Sequence, residues 1–388
     1  MSTPGSQVLT RFTSHVADAE IADLRSRLAR TRFPDRPPGD AWAYGTERGY
    51  MREVIEYWRS SFDWRAQEAR LNAFEQHRVP LAGIDLHFLR AEGVGPAPLP
   101  LLLSHGWPGS VFEFLDIIPR LTDPARFGGD PADAFTVVVP SLPGYGFSFA
   151  PDQRRFSVEE IADCFAALMT DVLGYRRFGA QGGDWGSFIT SRLGYRYPER
   201  LAGIHLNMMP LRRDGEDIDG GDPAQARYRA ELAHWLKEES GYVFLQGTRP
   251  QTLAYGLTDS PSGLAAWILE KFRRWSDCGG DVESVFSRDE LLANISLYWF
   301  TGAIGSSFWP YYARLHGPWP IPSGATVAVP TGYVEFPCEI LKPPRSLAEK
   351  VFTDVRRWSV RDKGGHFAAL EQPEALVEEI QAFFRTCR

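Results

Sequence analysis

Apolar residues recur at helical spacing through the first part of the chain. Ile21, Leu24 and Leu28 share one face of a helix, which the Arg-Phe-Pro at 32–34 ends because proline cannot continue the hydrogen-bond ladder. GYMREVIEYWRS (49–60) predicts a second helix, and residues 63–74 a third. VPLAGIDLHFLRAEG (79–93) changes period and alternates as an antiparallel hairpin with its turn at Gly83.

From residue 96 the rhythm becomes strand, loop, helix, repeated. Residues 99–104, 136–140, 176–181 and 201–206 read as short buried strands. Ser157-Val-Glu-Glu160 is a capping box that opens a helix with Val158, Ile161, Phe165, Leu168 and Val172 on one side. This alternation predicts an α/β fold, a mostly parallel sheet with helices on both faces. Residues 207–323 interrupt it with an acidic, Gly-rich loop (214–222) and helical segments rich in Trp, Tyr and Phe. Strand character returns at 325–330 and near 358–360, and 373–384 is a closing amphipathic helix. The expected organisation is a helical N-terminal extension (1–95), a first core part (96–206), a lid insertion (207–323) and a second core part (324–388).

Composition narrows the partners. A formal charge of −7 with a pI near 5.7 argues against a nucleic-acid footprint and against a basic membrane-binding patch. Cys164, Cys278, Cys338 and Cys387 form no C-x-x-C pair, so neither a zinc site nor a disulfide framework is indicated. No apolar run suits a signal peptide, and none reaches the ~18 residues of a membrane span, so a soluble cytoplasmic protein is expected. Asn294-Ile-Ser296 matches a short glycosylation sequon.

Gly182-Gly183-Asp184-Trp185-Gly186 stands directly after a predicted strand and before a predicted helix. The pattern is that of a nucleophile elbow with aspartate at its tip, where small neighbours permit a sharp turn. A plain turn with Asp as N-cap fits the same residues. Lys363-Gly364-Gly365-His366-Phe367 puts a histidine in a Gly-rich loop, after Asp184 in chain order, as an activating base would stand. A carboxylate beside it would fix the imidazole tautomer. By spacing Glu339 and Glu335 both qualify, with Asp354 and Asp362 as further candidates. In His105-Gly106-Trp107-Pro108-Gly109-Ser110 the backbone N–H of Trp107, with that of Trp185, would form an oxyanion hole. Trp107–Pro108 also suits a turn with a cis bond.

An aspartate nucleophile displaces a leaving group at saturated carbon and becomes an alkyl ester. Water then attacks the carbonyl of Asp184 itself, so the oxyanion hole serves the second step. An epoxide oxygen leaves with help from a proton donor such as tyrosine, whose reference pKa is about 10. A halide would need only N–H donors such as indoles.

Taken together, these blocks resemble the microsomal-type epoxide hydrolases of the α/β-hydrolase superfamily, with their soluble bacterial and fungal relatives, over nearly the whole chain. SRLARTRFPD, YWRSSFDWR and LNAFEQH match that family's N-terminal region. HGWPGS (105–110), PSLPGYGFS (140–148), GAQGGDWGS (179–187), VPTGYVEFPCE (329–339) and RDKGGHFAALEQPE (361–374) match its core. The resemblance implies Asp184 as nucleophile, His366 as base and Glu339, over Glu335, as its acid partner. It also implies a ring-opening Tyr242 within SGYVFLQGTRP (240–250). In WPYYARLHG (309–317) Tyr312 aligns best as the second such tyrosine, with Tyr311 left open.

The activity that the resemblance implies is cofactor-independent hydrolysis of a small-molecule epoxide by water to a vicinal diol. A haloalkane dehalogenase-like hydrolase and a catalytically silent α/β-hydrolase binding protein are the competing readings. A homodimer is left open. Lys stands only at 237, 271, 342, 350 and 363, so the basic residues are overwhelmingly Arg, and this bias with the acidic loop suggests an actinobacterial tailoring enzyme of natural-product, for example antibiotic, biosynthesis.

Overall fold

The computed structural model describes residues 8–212 and 218–388. Of the acidic loop, 214–217 therefore lie outside the described residues. The strands are β1 (Thr10–Phe12), β2 (Glu75–Leu81), β3 (Ile84–Ala91), β4 (Leu99–Ser104), β5 (Phe135–Pro140), β6 (Phe178–Gly182), β7 (Leu201–Leu206), β8 (Thr331–Glu335) and β9 (Val355–Val360). They join in one sheet in the order β1-β2-β3-β5-β4-β6-β7-β8-β9. β4 to β9 are parallel, while β1, β2 and β3 form an antiparallel edge through the pairing of β3 with β5. Every residue of β5 (FTVVVP) and β7 (LAGIHL) is buried. Strands covered on both faces read as apolar runs for that reason, while β2 alternates between buried and more exposed residues from His77 to Leu81.

Helices α1 (Asp18–Ala29), α2 (Arg48–Ser60) and α3 (Trp64–Asn72) precede the hairpin and bury Leu24, Leu28, Val54, Trp58 and Leu71. The core connections carry α4 (Ile118–Thr122), α5 (Val158–Ala167) and α6 (Asp184–Arg196). α5 opens on the Ser157–Glu160 capping box, and α6 packs along β4, β6 and β7. Between β7 and β8 run α7 (Pro223–Glu238), α8 (Gly241–Thr248), α9 (Pro250–Asp259), α10 (Pro261–Trp275), α11 (Arg288–Thr301) and α12 (Trp309–His316). The chain closes with α13 (Arg345–Ala348), α14 (Ala368–Glu371) and α15 (Pro373–Phe384). α15 crosses β7, β8 and β9, with Phe383 over Gly203 and Gly332 and Phe384 over Gly179. Both rings are fully buried, so truncating either to alanine would cost about 3–5 kcal/mol.

The register is what builds a site. Ser104 pairs with Gly182, Gly182 with Leu206, and Leu206 with Tyr333. The loops after β4, β6 and β8 therefore leave the sheet side by side. Chain order reverses around β4, which lies between β5 and β6, and such a reversal opens a crevice at the strands' carboxyl ends.

At three places the structure adds to or shifts the reading of the pattern. β1 is not foreseen by the pattern, because three residues carry no usable period. The strand expected at 325–330 lies at Thr331–Glu335; upstream, Val327 makes only an isolated bridge to Phe352. Asn294, of the short sequon match, is buried within α11, and its amide donates to the Pro108 carbonyl at 2.7 Å.

Candidate active site

Asp184 stands at the junction of β6 and α6 with φ of 47°, in the left-handed region that non-glycine residues avoid. The turn closes this tightly because Gly186 has no side chain: a Cβ there would overlap the Ser104 carbonyl. The bend lifts the carboxylate off the sheet at the first turn of α6, where the helix dipole favours negative charge. Its Oδ1 accepts the backbone N–H of Trp107 at 2.7 Å, and the Trp107–Pro108 bond is cis. Trp185 contributes the first N–H of α6 after Asp184, a group without an intrahelical acceptor. His105 in the same loop is buried and neutral, its pKa lowered to about 4 by burial; its Nε2 accepts the Leu142 N–H at 3.2 Å.

His366 reaches the other carboxylate oxygen, with Nε2 at 3.3 Å from Asp184 Oδ2. Its Nδ1 lies 2.6 Å from Glu339 Oε1, which also accepts the Ile340 N–H at 2.7 Å. Histidine and glutamate are both buried. Burial opposes a charged imidazole, but the charge of Glu339 and hydrogen bonds to Asp184 and Glu339 outweigh it, holding the pKa well above its ordinary value. The structure thus brings Glu339, not Glu335, to the ring. Glu335 is the last residue of β8 and pairs with Val360. Asp354 is ion-paired with Arg356, and Asp362 is exposed.

On its far side Asp184 borders a cavity of about 230 Å³, lined mainly by Trp185, Phe188, Trp235, Tyr242, Tyr311 and Trp319. Tyr242 stacks on Trp107 at 5.5 Å and meets Tyr311 edge-on at 5.8 Å. Tyr311 packs against Trp185 at 4.7 Å. Burial, with Tyr242 and Asp184 nearby, pushes the Tyr311 phenol well above its usual range, so it remains a proton donor. Tyr312 is a correction: its ring stacks on Trp309 and His316, away from this cavity. Adjacent helix residues point about 100° apart, and the phase of α12 turns Tyr311 inward.

Several supports are not legible in the sequence. Asn294 and Tyr298 of α11 hold the loop after β4 through the Pro108 and Gly109 carbonyls, at 2.7 and 2.8 Å. The histidine loop is tied to the C-terminal end of α10 and the residues after it: His366 N–H donates to the Trp275 carbonyl at 2.8 Å, and Gly364 N–H to Asp277 Oδ2 at 2.9 Å. Glu371 bridges the same seam, accepting the N–H groups of Asp277 and Phe367 at 2.8 and 2.9 Å. Lys271 lies over the Tyr242 ring at 4.7 Å. Each role joins residues far apart in sequence, which no local pattern encodes.

Comparison with known proteins places this chain among relatives. Residues 9–114 match the family described as epoxide hydrolase N terminus, and residues 100–266 the alpha/beta hydrolase fold. A Stigmatella aurantiaca protein, provisionally named an epoxide hydrolase, is 44% identical over 98% of this chain and 86% of its own. Epoxide hydrolase 1 of Oryctolagus cuniculus is 37% identical over 96% of this chain and 88% of its own. The solved structure of Aspergillus niger epoxide hydrolase superposes with a TM-score of 0.86 at 29% identity, covering 99% of this chain and 97% of that one.

Proposed function

This chain belongs to the epoxide hydrolase family, and on that premise we propose that it opens an epoxide with Asp184 and hydrolyses the ester with His366 and Glu339, releasing a vicinal diol. The observation that carries this reading is one carboxylate, on a strained turn, that meets an imidazole on one side and borders a cavity with two buried phenols on the other.

In the first step an Asp184 oxygen bonds to a ring carbon and the carbon–oxygen bond of the epoxide breaks. Tyr242 and Tyr311 donate hydrogen bonds to the departing oxygen, and one of them gives it a proton. Tyr311 takes the place that the sequence assigns to Tyr312, because it lines the cavity beside Asp184. A dehalogenase would have no use for paired phenols there. The loss of charge on Asp184 then changes its neighbour. The imidazolium loses the carboxylate that helped raise its pKa, returns a proton to the tyrosinate, and becomes a base.

In the second step water gives a proton to His366 Nε2 and its oxygen bonds to Cγ of Asp184. The Trp107 N–H, already on Oδ1, and the N–H of Trp185 stabilise the oxyanion. Collapse expels the diol oxygen, which takes the proton of the newly added hydroxyl. Carboxylate, imidazolium and phenols are restored, and the sum is epoxide plus water to diol. Residues 207–323 act as a lid that supplies the phenols and an apolar, aromatic lining. That lining suits a bulky apolar epoxide, and the natural-product setting is our reading from composition.

The test is to trap the ester. His366→Gln, mixed with styrene oxide, should accumulate a covalent adduct that peptide mass spectrometry places on Asp184, while diol formation stops. An adduct on another residue, or diol formation near the wild-type rate, overturns the mechanism.

A further inference from the structure

Asp184 also borders a second, much smaller cavity, and apart from Asp184 its lining differs from that of the aromatic one. It measures about 20 Å³ and is lined by Ser104, Gly109, Glu113, Asn207 and His366 among others. A single water fits a space above about 10–15 Å³ if polar groups surround it. Those groups are present. Ser104 is fully buried, and its hydroxyl has no partner among the described residues. Glu113 brings a carboxyl that neither chemical step uses. Its side chain folds back on Gly109, where a Cβ would overlap the carboxyl, so the glycine is what admits the acid to this wall.

We infer that this cavity is the seat of the hydrolytic water, and that Glu113 is the residue that positions it against the Asp184 ester. The proposal rests on the two-step ester mechanism and deepens its second half. Water held here stands on the imidazole's side of Asp184, apart from the substrate cavity, and is in place before any epoxide arrives. The lid then has no need to open between the two steps. Glu113 is suited to holding water without competing as the base. Burial, and the nearby charge of Asp184, push its pKa to about 8 against the opposing effect of His366, so at neutral pH it is mostly a neutral acid. Tyr298, from α11, also faces it, and His105 lines the same cavity.

The experiment is single-turnover rapid quench on the full-length protein with styrene oxide, following the Asp184 adduct by mass. Glu113→Gln keeps the shape and should leave adduct formation within about twofold, while adduct decay slows about 10²-fold. Ser104→Ala should slow the same step about five-fold. Glu113→Asp, with a shorter reach, should fall between wild type and Glu113→Gln. Equal slowing of both steps assigns Glu113 a merely structural role and overturns the proposal, as does unchanged decay in Glu113→Gln. If wild type and His366→Gln form no adduct on Asp184, the underlying mechanism fails instead, and the two failures are told apart.

Discussion

Two regions meet at Asp184, and they hold the groups proposed to react in different ways. On the sheet side each group sits on a turn a few residues long: Asp184 after β6, the Trp107 N–H after β4, Glu339 after β8 and His366 before α14. There the backbone does the placing, at the expense of a positive φ at Asp184 that only tight surroundings sustain. On the helical side Tyr242 and Tyr311 are placed by the packing of α8 on α12 and by helix phase. A turn specifies one residue, because its small neighbours and its bend are local. A helix specifies a face, and only what packs against it decides which of two neighbours looks inward.

The sharpest way to break this contrast is to remove the turn-held carboxylate. Asp184→Ala should lower kcat for diol formation by at least about 10⁴-fold, since the proposed mechanism forms its ester on Asp184. The same change removes a charge and a hydrogen bond that raise the His366 pKa, so the imidazole should titrate at lower pH than in wild type. An NMR titration of the ring checks this sign. A variant that keeps its activity would show that the turn is structural only.

The helix-held pair predicts graded effects. Tyr242→Phe and Tyr311→Phe should each slow adduct formation by about 10–10²-fold, because one phenol still serves the oxygen, and the double variant should approach the Asp184→Ala level. Tyr312→Phe should stay within about twofold of wild type, as expected for a ring stacked outside the cavity. A large loss in Tyr312→Phe, with none in Tyr311→Phe, would mean that α12 turns its other face inward in the working enzyme.

The contrast also explains what the sequence could disclose. Asp184 and His366 are readable as the tips of Gly-flanked bends, and the β-strand rhythm places those bends at neighbouring strand ends. Glu339 is not separable from Glu335 by spacing; the distinction depends on β8 starting after Pro330, so that Glu335 still belongs to the strand. WPYYARLHG locates a tyrosine to within one residue and can go no further, since helix phase there is set by α8. Asn294, Glu113 and Glu371 are invisible for a stronger reason. Each is set beside its partners by the fold: Glu113 shares a cavity wall with Asp184 and His366, Glu371 meets Asp277, and Asn294 meets Pro108 from 186 positions away.

The smallest expected effect lies on the seam between the regions. Glu371 accepts one N–H from Asp277, just past the end of α10, and one from the histidine loop, so it fastens the helical region to the core. Burial raises its pKa from 4.5 to about 7, against the pull of those two N–H donors. A folded-state value above the unfolded one means that the native protein binds the proton more tightly. Its contribution is therefore complete below the unfolded pKa and is lost as pH rises through about 7. Glu371→Gln cannot ionise and accepts through one oxygen only. It should be less stable than wild type at pH 5, and the gap should narrow by about 1–2 kcal/mol by pH 8. Urea unfolding at the two pH values measures this. A gap that widens instead would mean that the ionised carboxylate is the better clamp, and that the two N–H donors outweigh burial at this seam.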